Sequence, residues 1–350
     1  MPSPTLSLIT GGAGFIGSHL AERLLAEGRR VRLIDDFSTG RRENIDGLLG
    51  SDCELVEGRA AEVLSEPGAL EGVDEVYHLA ASVGVRLIVE DPAGMIRNNV
   101  DQTVGVLRAC ADAGARVLIT SSSEVYGKNP KLPLREDQDL LFGPTSASRW
   151  SYGLTKAIDE HLAIDMARRH GLKAVVVRLF NTIGPRQVGR YGMVVPRFVE
   201  RAVKGQPLEV YGDGSQTRAF CDVRDVTSAL PKLLRCDAAF GLAVNVGADR
   251  TVTIRELAER VIETVASAGG PRAEVKLVPY QAVYGEGFED TPCRMPDTSR
   301  LRELIGFERR YPLDRTLGEL VGSAMGEADA VDSAAGGAAG GGTGVGGGRP

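Results

Sequence analysis

The sequence predicts an α/β protein in which a doubly wound parallel sheet is followed by a smaller mixed α/β domain. Between Thr5 and Phe180, short apolar runs alternate with amphipathic stretches of helical length, which is the pattern of βαβ units. A glycine-rich turn joins the first apolar run to the first helical stretch. Beyond Asn181 the alternation loosens into shorter segments that Gly and Pro separate, which predicts a second domain.

The elements of the first part follow one another as strand, helix, strand. The predicted strands lie at 5–10, 29–35, 53–58, 75–80, 116–122 and 173–180. The predicted helices lie at about 15–27, 93–113 and 150–169. The second helix opens after Asp91-Pro92, where proline suits a first turn, and the third keeps one face apolar.

The predicted domains are discontinuous in the chain, because a strand near 243–247 is expected to return to the first sheet. We assign 1–182 and about 220–250 to the sheet domain, and about 183–219 and 251–322 to the smaller substrate domain. The last part, 324–350, is rich in Gly, Ala and Ser. It has too few large apolar side chains to offset the entropy lost on ordering, so we expect a disordered tail.

Composition narrows the classes of function. A chain of 350 residues that is 43% hydrophobic and 25% charged can bury an ordinary globular core. Its net charge of -6 argues against nucleic acid as a partner, since phosphate backbones favour a concentrated positive face. A local basic pocket for one anionic ligand remains compatible with this charge.

Cysteine and histidine usage indicates a reduced compartment without a metal site. The five cysteines are widely spaced and form no Cys-x-x-Cys pair, and the four histidines form no ligand-spaced cluster. No apolar stretch approaches the roughly 18 residues that cross a bilayer, and the chain is predicted to run from Met1 into the strand at 5–10. We therefore expect a cytoplasmic protein with no membrane partner.

The glycine-rich turn predicts a phosphate-binding site. Gly11 permits the tight turn, Gly14 lets the backbone approach a pyrophosphate, and Gly17 allows close packing of helix on strand. The helix then faces the anion with its free N–H groups and the positive end of its dipole. Asp35 ends the second predicted strand, where a carboxylate binds ribose hydroxyls. Together these features predict a dinucleotide site of the Rossmann type.

Asp35 also bears on the choice of cofactor. A carboxylate at this position repels the 2′-phosphate of NADP, which favours NAD. Arg41 and Arg42 are the counter-argument, because guanidinium groups accommodate such a phosphate. The other interpretation of these arginines is a solvated loop, and on that interpretation NAD is the expected cofactor.

A tyrosine and a lysine are predicted to form a catalytic pair. Tyr152 and Lys156 stand four residues apart at the start of the third helix, so they share one helical face. A phenol with a pKa of about 10 is a poor base, but an adjacent ammonium and a nicotinamide cation both favour the phenolate. Tyr152 can then take a hydroxyl proton while hydride leaves the same carbon. The alternative is a coincidental pattern of surface residues.

Several motifs together resemble one superfamily. They are the glycine run, His78-Leu79-Ala80-Ala81, Ser122-Ser123-Glu124-Val125-Tyr126-Gly127 and Tyr152-x-x-x-Lys156. Over about residues 5–320 the chain is similar to the extended short-chain dehydrogenases/reductases, which include nucleotide-sugar epimerases, dehydratases and decarboxylases. The resemblance implies a homodimer formed through the helices near 93 and 150, and a cofactor site made by Gly11, Gly14, Phe15, Ile16, Gly17, Asp35, Leu79, Ala80, Ala81, Tyr152 and Lys156.

The resemblance also implies roles toward the substrate, a nucleotide-linked sugar that is oxidised at C4. Ser122 is expected to hydrogen-bond the reacting oxygen of the sugar, and Lys156 to contact the nicotinamide ribose. The matching segments of the second domain imply that Asn181, Arg186, Arg218 and Tyr284 bind the substrate, with the diphosphate on the asparagine and the arginines. Structural salt bridges are the alternative for both arginines.

The two residues before Val125 indicate which reaction follows C4 oxidation. Ser123 and Glu124 resemble the pair found in decarboxylases that act on UDP-glucuronate, as do 149–152 and the segment from Tyr284 to Arg294. A 4-epimerase and a 4,6-dehydratase remain alternatives. A non-catalytic NAD-binding regulator is an alternative of a different class, against which the retained Ser122, Tyr152 and Lys156 argue.

Decarboxylation gives these residues a coherent task. A C4 ketone is β to the C6 carboxylate, so loss of carbon dioxide yields an enolate that Ser122 and Tyr152 can stabilise. Glu124 and Arg294 are the candidates for handling the carboxylate and the proton that replaces it. We expect a raised pKa at Glu124, because it stands beside the substrate carboxylate, and hence a proton donor.

Overall fold

A parallel sheet forms the centre of the protein in the computed structural model, which describes residues 5–82, 91–189, 193–284 and 290–339. Within these ranges the strands are β1 (Leu6–Thr10), β2 (Arg30–Asp35), β3 (Cys53–Glu57), β4 (Val73–His78), β5 (Arg116–Ser122), β6 (Ala174–Leu179), β7 (Thr182–Ile183), β8 (Leu208–Tyr211), β9 (Thr217–Arg218), β10 (Cys221–Asp222), β11 (Ala243–Val246), β12 (Val252–Thr253), β13 (Val275–Val278) and β14 (Cys293–Arg294). The central sheet has seven described strands in the order β11-β6-β5-β4-β1-β2-β3. All neighbours in it run parallel, which confirms the predicted doubly wound α/β fold.

Helices cover both faces of this sheet, and further helices belong to the second part of the chain. The described helices are α1 (Phe15–Ala26), α2 (Ala60–Leu64), α3 (Pro92–Ala113), α4 (Ser151–His170), α5 (Val194–Val203), α6 (Val223–Leu234), α7 (Ile254–Ser267), α8 (Tyr280–Tyr284), α9 (Ser299–Ile305) and α10 (Leu313–Ala339). The predicted strands and helices of the first part agree with these bounds to within two residues. No helix in the described part of the chain combines the length and the apolar character needed to cross a membrane.

The core is divided by the sheet because side chains alternate along each strand. On β5, Val117 and Ile119 face one cluster of buried residues while Leu118 faces another. The same alternation occurs on β6, where Val175 and Val177 lie on the side of Leu118. A strand that is buried on both faces is a continuous run of apolar residues, and such runs predict strands clearly.

A smaller core joins the elements of the second part. Phe198 of α5, Val210 of β8 and Leu257 of α7 are fully buried in one cluster. β11 returns to the large sheet and pairs with β6, as the sequence predicted for this strand. The assignment of the intervening segments to two domains stays a prediction.

The C-terminal segment departs from the expected tail. α10 continues to Ala339, whereas disorder was expected from residue 324. Leu317 and Val321 are buried in the smaller core, and Ala324 and Met325 pack against it. This contact and the high helix propensity of alanine carry the helix past the predicted boundary. The rest of the expected tail, 340–350, lies outside the described residues.

Candidate active site

One cleft runs along the carboxyl ends of the parallel strands, with a volume of about 540 Å³. This edge is where open α/β sheets bind their ligands, because the strand ends and the helix N-termini meet there. The predicted site residues that line it are Gly11, Gly14, Phe15, Ile16, Gly17, Asp35, Leu79, Ala80, Ala81, Ser122, Ser123, Glu124, Tyr152, Asn181, Arg186, Arg218 and Arg294. Residues scattered over most of the chain thus meet at one place. Tyr284 ends α8, and the position of its side chain lies outside what the structure describes.

Two glycines of the turn, Gly11 and Gly17, leave no room for a side chain. Gly11 has a φ of +70°, and its N–H donates to the Ile34 carbonyl at 2.8 Å. A Cβ on Gly17 would lie 2.1 Å from the carbonyl oxygen of Gly11. Gly14 caps α1 without a side chain, so no cap competes for the first N–H groups of the helix. The turn therefore fits a pyrophosphate, as a dinucleotide site requires.

Asp35 is held rigidly beside this turn. Its Oδ2 accepts from the N–H of Ala13 and its Oδ1 from the N–H of Phe37, both at 2.9 Å. Burial raises the pKa of this carboxyl, against the two backbone donors. A carboxylate oxygen has more than one lone pair, so the group can still accept ribose hydroxyls from the cleft.

Tyr152 lies on the wall of the cleft, near the N-terminus of α4, and is 8% exposed. Burial raises the pKa of its phenol well above the ordinary value, and the negative charges of Glu124 and Asp159 add to the effect. The Nζ of Lys156, four residues further along α4, lies 3.1 Å from Asp159 Oδ2 in a buried ion pair. The expectation that the lysine and a nicotinamide cation favour the phenolate of Tyr152 stays a prediction.

Glu124 lies between two arginines. Arg149 donates to Oε2 at 2.7 Å and to Oε1 at 3.2 Å, and Arg294 donates to Oε1 as well. Burial by itself would raise the pKa of this carboxyl, but the two guanidinium groups outweigh burial and lower it to about 2. The raised pKa expected for Glu124 refers to the site with a substrate carboxylate beside it, and it stays a prediction.

Arg149 is a site residue that the sequence-based set lacks. Its guanidinium lies 5.4 Å from the centre of the Trp150 ring, which is itself buried. The stacking fixes the guanidinium fork that holds Glu124. The segment Arg149-Trp150-Ser151 stood out in the sequence, but its spacing did not show that the arginine meets Glu124.

The serines of the turn after β5 are placed differently from each other. The Ser122 Oγ caps the short 3₁₀ turn Ser123–Tyr126 by accepting from the N–H of Glu124 at 3.2 Å. Its hydroxyl hydrogen remains a donor for a ligand in the cleft. Ser123 is 5% exposed but also belongs to the cleft wall.

Some predicted substrate-binding residues form salt bridges, and some have buried polar atoms without a hydrogen-bond partner among the described residues. Arg218 pairs with Asp290 at 2.8 Å, and Arg186 pairs with Glu22, so the salt bridges considered as alternatives are present. Both arginines nevertheless line the cleft. The Oδ1 of Asn181 and the Nη1 of Arg186 are buried and have no hydrogen-bond partner among the described residues. Such groups point to a polar ligand.

Arg197 and Tyr211 are further cleft residues that the sequence did not indicate. The guanidinium of Arg197 lies 4.3 Å from the centre of the Tyr211 ring. Its Nε is buried without a hydrogen-bond partner in the described residues. No motif marks this pair, because α5 and β8 bring it together only in the fold.

The cleft therefore presents a dinucleotide surface on the sheet and a cationic, partly unsatisfied surface opposite to it. A fold that joins two such surfaces beside a buried tyrosine is that of a dinucleotide-binding enzyme with an anionic second ligand.

The profile of the NAD dependent epimerase/dehydratase family matches residues 7–247, and the chain belongs to this family. A UDP-N-acetyl-alpha-D-glucosaminuronate decarboxylase of Bacillus cytotoxicus is 37% identical over 90% of this chain and 96% of its own length. UDP-glucuronic acid decarboxylase 1 of Danio rerio is 34% identical over 90% of this chain and 71% of its own length. The UDP-glucose 4-epimerase of Thermus thermophilus, solved with NAD, superposes with a TM-score of 0.77 at 30% identity, over 92% of this chain and 99% of that one. The resemblance drawn from the motifs and the predicted NAD cofactor are confirmed.

Proposed function

We propose that the protein is a UDP-glucuronate decarboxylase that first oxidises the sugar at C4. The observation that carries this proposal is the cluster of Arg149, Glu124 and Arg294 in the cleft that Tyr152 also lines. A sugar that carries both a diphosphate and a carboxylate supplies two anionic groups for a cleft lined by arginines. Two relatives at 37% and 34% identity are named as decarboxylases of UDP-linked uronates, which supports the same substrate class.

The residues on the sheet side fit NAD, which when bound supplies the acceptor for the hydride lost from C4. Tyr152 takes the proton of the C4 hydroxyl, and Ser122 donates a hydrogen bond to the same oxygen. Asn181 and Arg218 are proposed to hold the diphosphate, where the orphaned Asn181 amide oxygen requires a donor or a bridging water.

Decarboxylation follows from the ketone. The C5–C6 bond breaks, its electron pair forms the C4 enolate, and carbon dioxide leaves. Arg149 and Arg294 position the C6 carboxylate, and a second carboxylate among these groups raises the pKa of Glu124 from its low value in the free site. Glu124 in its protonated form then delivers the proton to C5, which restores the ketone.

UDP-sugar 4-epimerisation is the second candidate. A 4-epimerase is among the solved structures that superpose on this chain, and C4 oxidation by Tyr152 is common to both reactions. A 4-epimerase acting on UDP-glucose has no substrate carboxylate for these arginines, and one acting on UDP-glucuronate needs no proton donor to C5. The arginines around Glu124 therefore favour decarboxylation.

Mass spectrometry of sugar nucleotides incubated with the enzyme and NAD tests the proposal. UDP-glucuronate is expected to lose carbon dioxide, whereas UDP-glucose is expected to remain unchanged. A Tyr152→Phe enzyme, which keeps the fold but lacks the phenol, is expected to convert neither. Loss of water, UDP-glucuronate of unchanged mass, or full activity of Tyr152→Phe would each overturn the assignment.

Glu124→Gln separates the two steps. Because Glu124 donates its proton to C5 only after C4 oxidation, the substitution is expected to slow formation of the protonated, decarboxylated sugar nucleotide by about 100-fold or more while NADH still forms. Stopped-flow absorbance of NADH and mass spectrometry of the quenched sugar nucleotide measure the two steps. Glu66→Gln, on an exposed residue away from the cleft, is the matched control. An equal loss of both steps would contradict the role given to Glu124.

We also propose a cytoplasmic homodimer. The described cysteines are all free thiols, as a reducing compartment favours. α3 and α4 pack on the same side of the sheet and leave Ile96 and Ile158 exposed, at 38% and 44%. Large exposed aliphatic side chains on these helices suit an interface with a second copy of the chain.

A further inference from the structure

The catalytic lysine is part of a buried ion pair that the motif does not describe. Lys156 and Asp159 are three residues apart on α4, and their side chains are 2% and 1% exposed. Tyr152 lies on the same face of the helix, because positions four and seven residues after it return to its side. The ion pair and the Tyr152 phenol therefore lie along the same face of α4.

Asp159 connects this pair to the cofactor side of the cleft. Thr103, on α3, interacts with the carboxylate, and its hydroxyl lies 3.3 Å from Nε2 of His78. The His78 ring bonds to the Thr10 hydroxyl at 2.8 Å, and that hydroxyl accepts from the N–H of Ala80 at 3.2 Å. Ala80 belongs to the wall of the cleft. A chain of buried polar groups thus runs from the lysine to the turn after β4.

The other charged groups around the ion pair have partners of their own. Glu160 accepts hydrogen bonds of 2.9, 3.2 and 2.7 Å from Arg178, so its charge is balanced. Glu124, in the turn beneath α4, is balanced by its arginines. Burial and the Lys156 charge hold the pKa of His78 at about 3, which keeps that ring neutral. Among the described residues, Asp159 is the acid that hydrogen-bonds to the ammonium.

We propose that Asp159 is a positioning residue, whose carboxylate holds the Lys156 ammonium charged and in place on the face of α4 that carries Tyr152. The inference rests on the proposed role of Tyr152 as the base at C4. A buried lysine without a counter-ion loses its proton readily, because burial disfavours the charged form. Without its charge the lysine gives the phenolate no support.

Titration of the lysine by ¹H–¹⁵N NMR tests this inference without any sugar. The resonance of Lys156 is identified by its absence from a Lys156→Arg protein. In Asp159→Asn, its pKa is expected to fall by about two units or more. The alkaline limb of the pH profile for NAD-dependent sugar oxidation is expected to move down by a similar amount.

Asp165→Asn is the matched control, since Asp165 lies on the same helix in an exposed pair with Arg169 at 2.7 Å. It is expected to leave the titration of Lys156 unchanged. An unchanged midpoint in Asp159→Asn would overturn the proposal. If that variant does not fold, the wild-type midpoint decides: a value well below the ordinary lysine value of about 10.4 would overturn it too. Failure of decarboxylation alone leaves this NMR result intact, so the two proposals are tested separately.

Discussion

At the scale of single residues, charge balance in the cleft is set by pairs and clusters more than by isolated groups. Glu124 is only 18% exposed, yet it stays ionised because Arg149 and Arg294 both bond to it. Tyr152 shows the opposite effect, since burial and two carboxylates raise its pKa. A bound nicotinamide cation acts to lower that pKa again.

The low pKa of Glu124 predicts a dependence of stability on pH. Its folded pKa of about 2 lies below the unfolded value of about 4.3. The stabilisation is therefore fully present above about pH 4.3 and is lost as the pH falls toward 2. Compared with Glu124→Gln in urea unfolding, the wild type should lose about 3 kcal/mol of relative stability over this interval. A difference between the two proteins that stays constant with pH would contradict the prediction.

At the scale of elements, α10 shows how tertiary packing extends a weak helix. Buried Leu317 and Val321 attach it to the smaller core, and α10 packs against both α5 and α7. Its exposed face carries Gly318 and Gly322, where an added Cβ would meet nothing within 4 Å. Packing therefore offsets the low helix propensity of these glycines.

Replacing these glycines tests that balance. Gly318→Ala and Gly322→Ala should each raise the free energy of unfolding by about 0.5–1 kcal/mol, because alanine favours the helix and has room. Gly306→Ala is the matched opposite case: it also has open space, but a φ of +62°. That change should destabilise by about 1 kcal/mol. Urea unfolding measures all three variants, and a gain at Gly306 would show that φ does not decide the sign.

At the scale of the whole molecule, a chain with a net charge of -6 concentrates arginines in its cleft. Arg149, Arg186, Arg197, Arg218 and Arg294 all line it. A field focused in this way attracts an anionic sugar nucleotide to one place on an otherwise acidic protein. The acidic composition and the anionic ligand are therefore compatible.

The proposed dimer gives a prediction at the same scale. Ile96→Glu combined with Ile158→Glu should convert the protein to a monomer, because charges on two interface helices cannot be desolvated cheaply. Light scattering coupled to size-exclusion chromatography measures the mass. Leu277→Glu, on β13 and 48% exposed, should leave the dimer intact. A wild-type protein that is monomeric at micromolar concentration would refute the dimer.

The sequence by itself determined the sheet, the glycine turn and the identity of several groups that line the cleft. These depend on local signals, namely continuous apolar strands, glycines that leave no room for a Cβ, and Tyr152 and Lys156 four residues apart. Only the tertiary structure decided how the charges pair. Arg149 and Arg294 come from other segments of the chain and both pair with Glu124. Lys156 pairs with Asp159, whereas the neighbouring Glu160 pairs with Arg178. A pKa depends on burial and on neighbours in space, and spacing along a chain records neither.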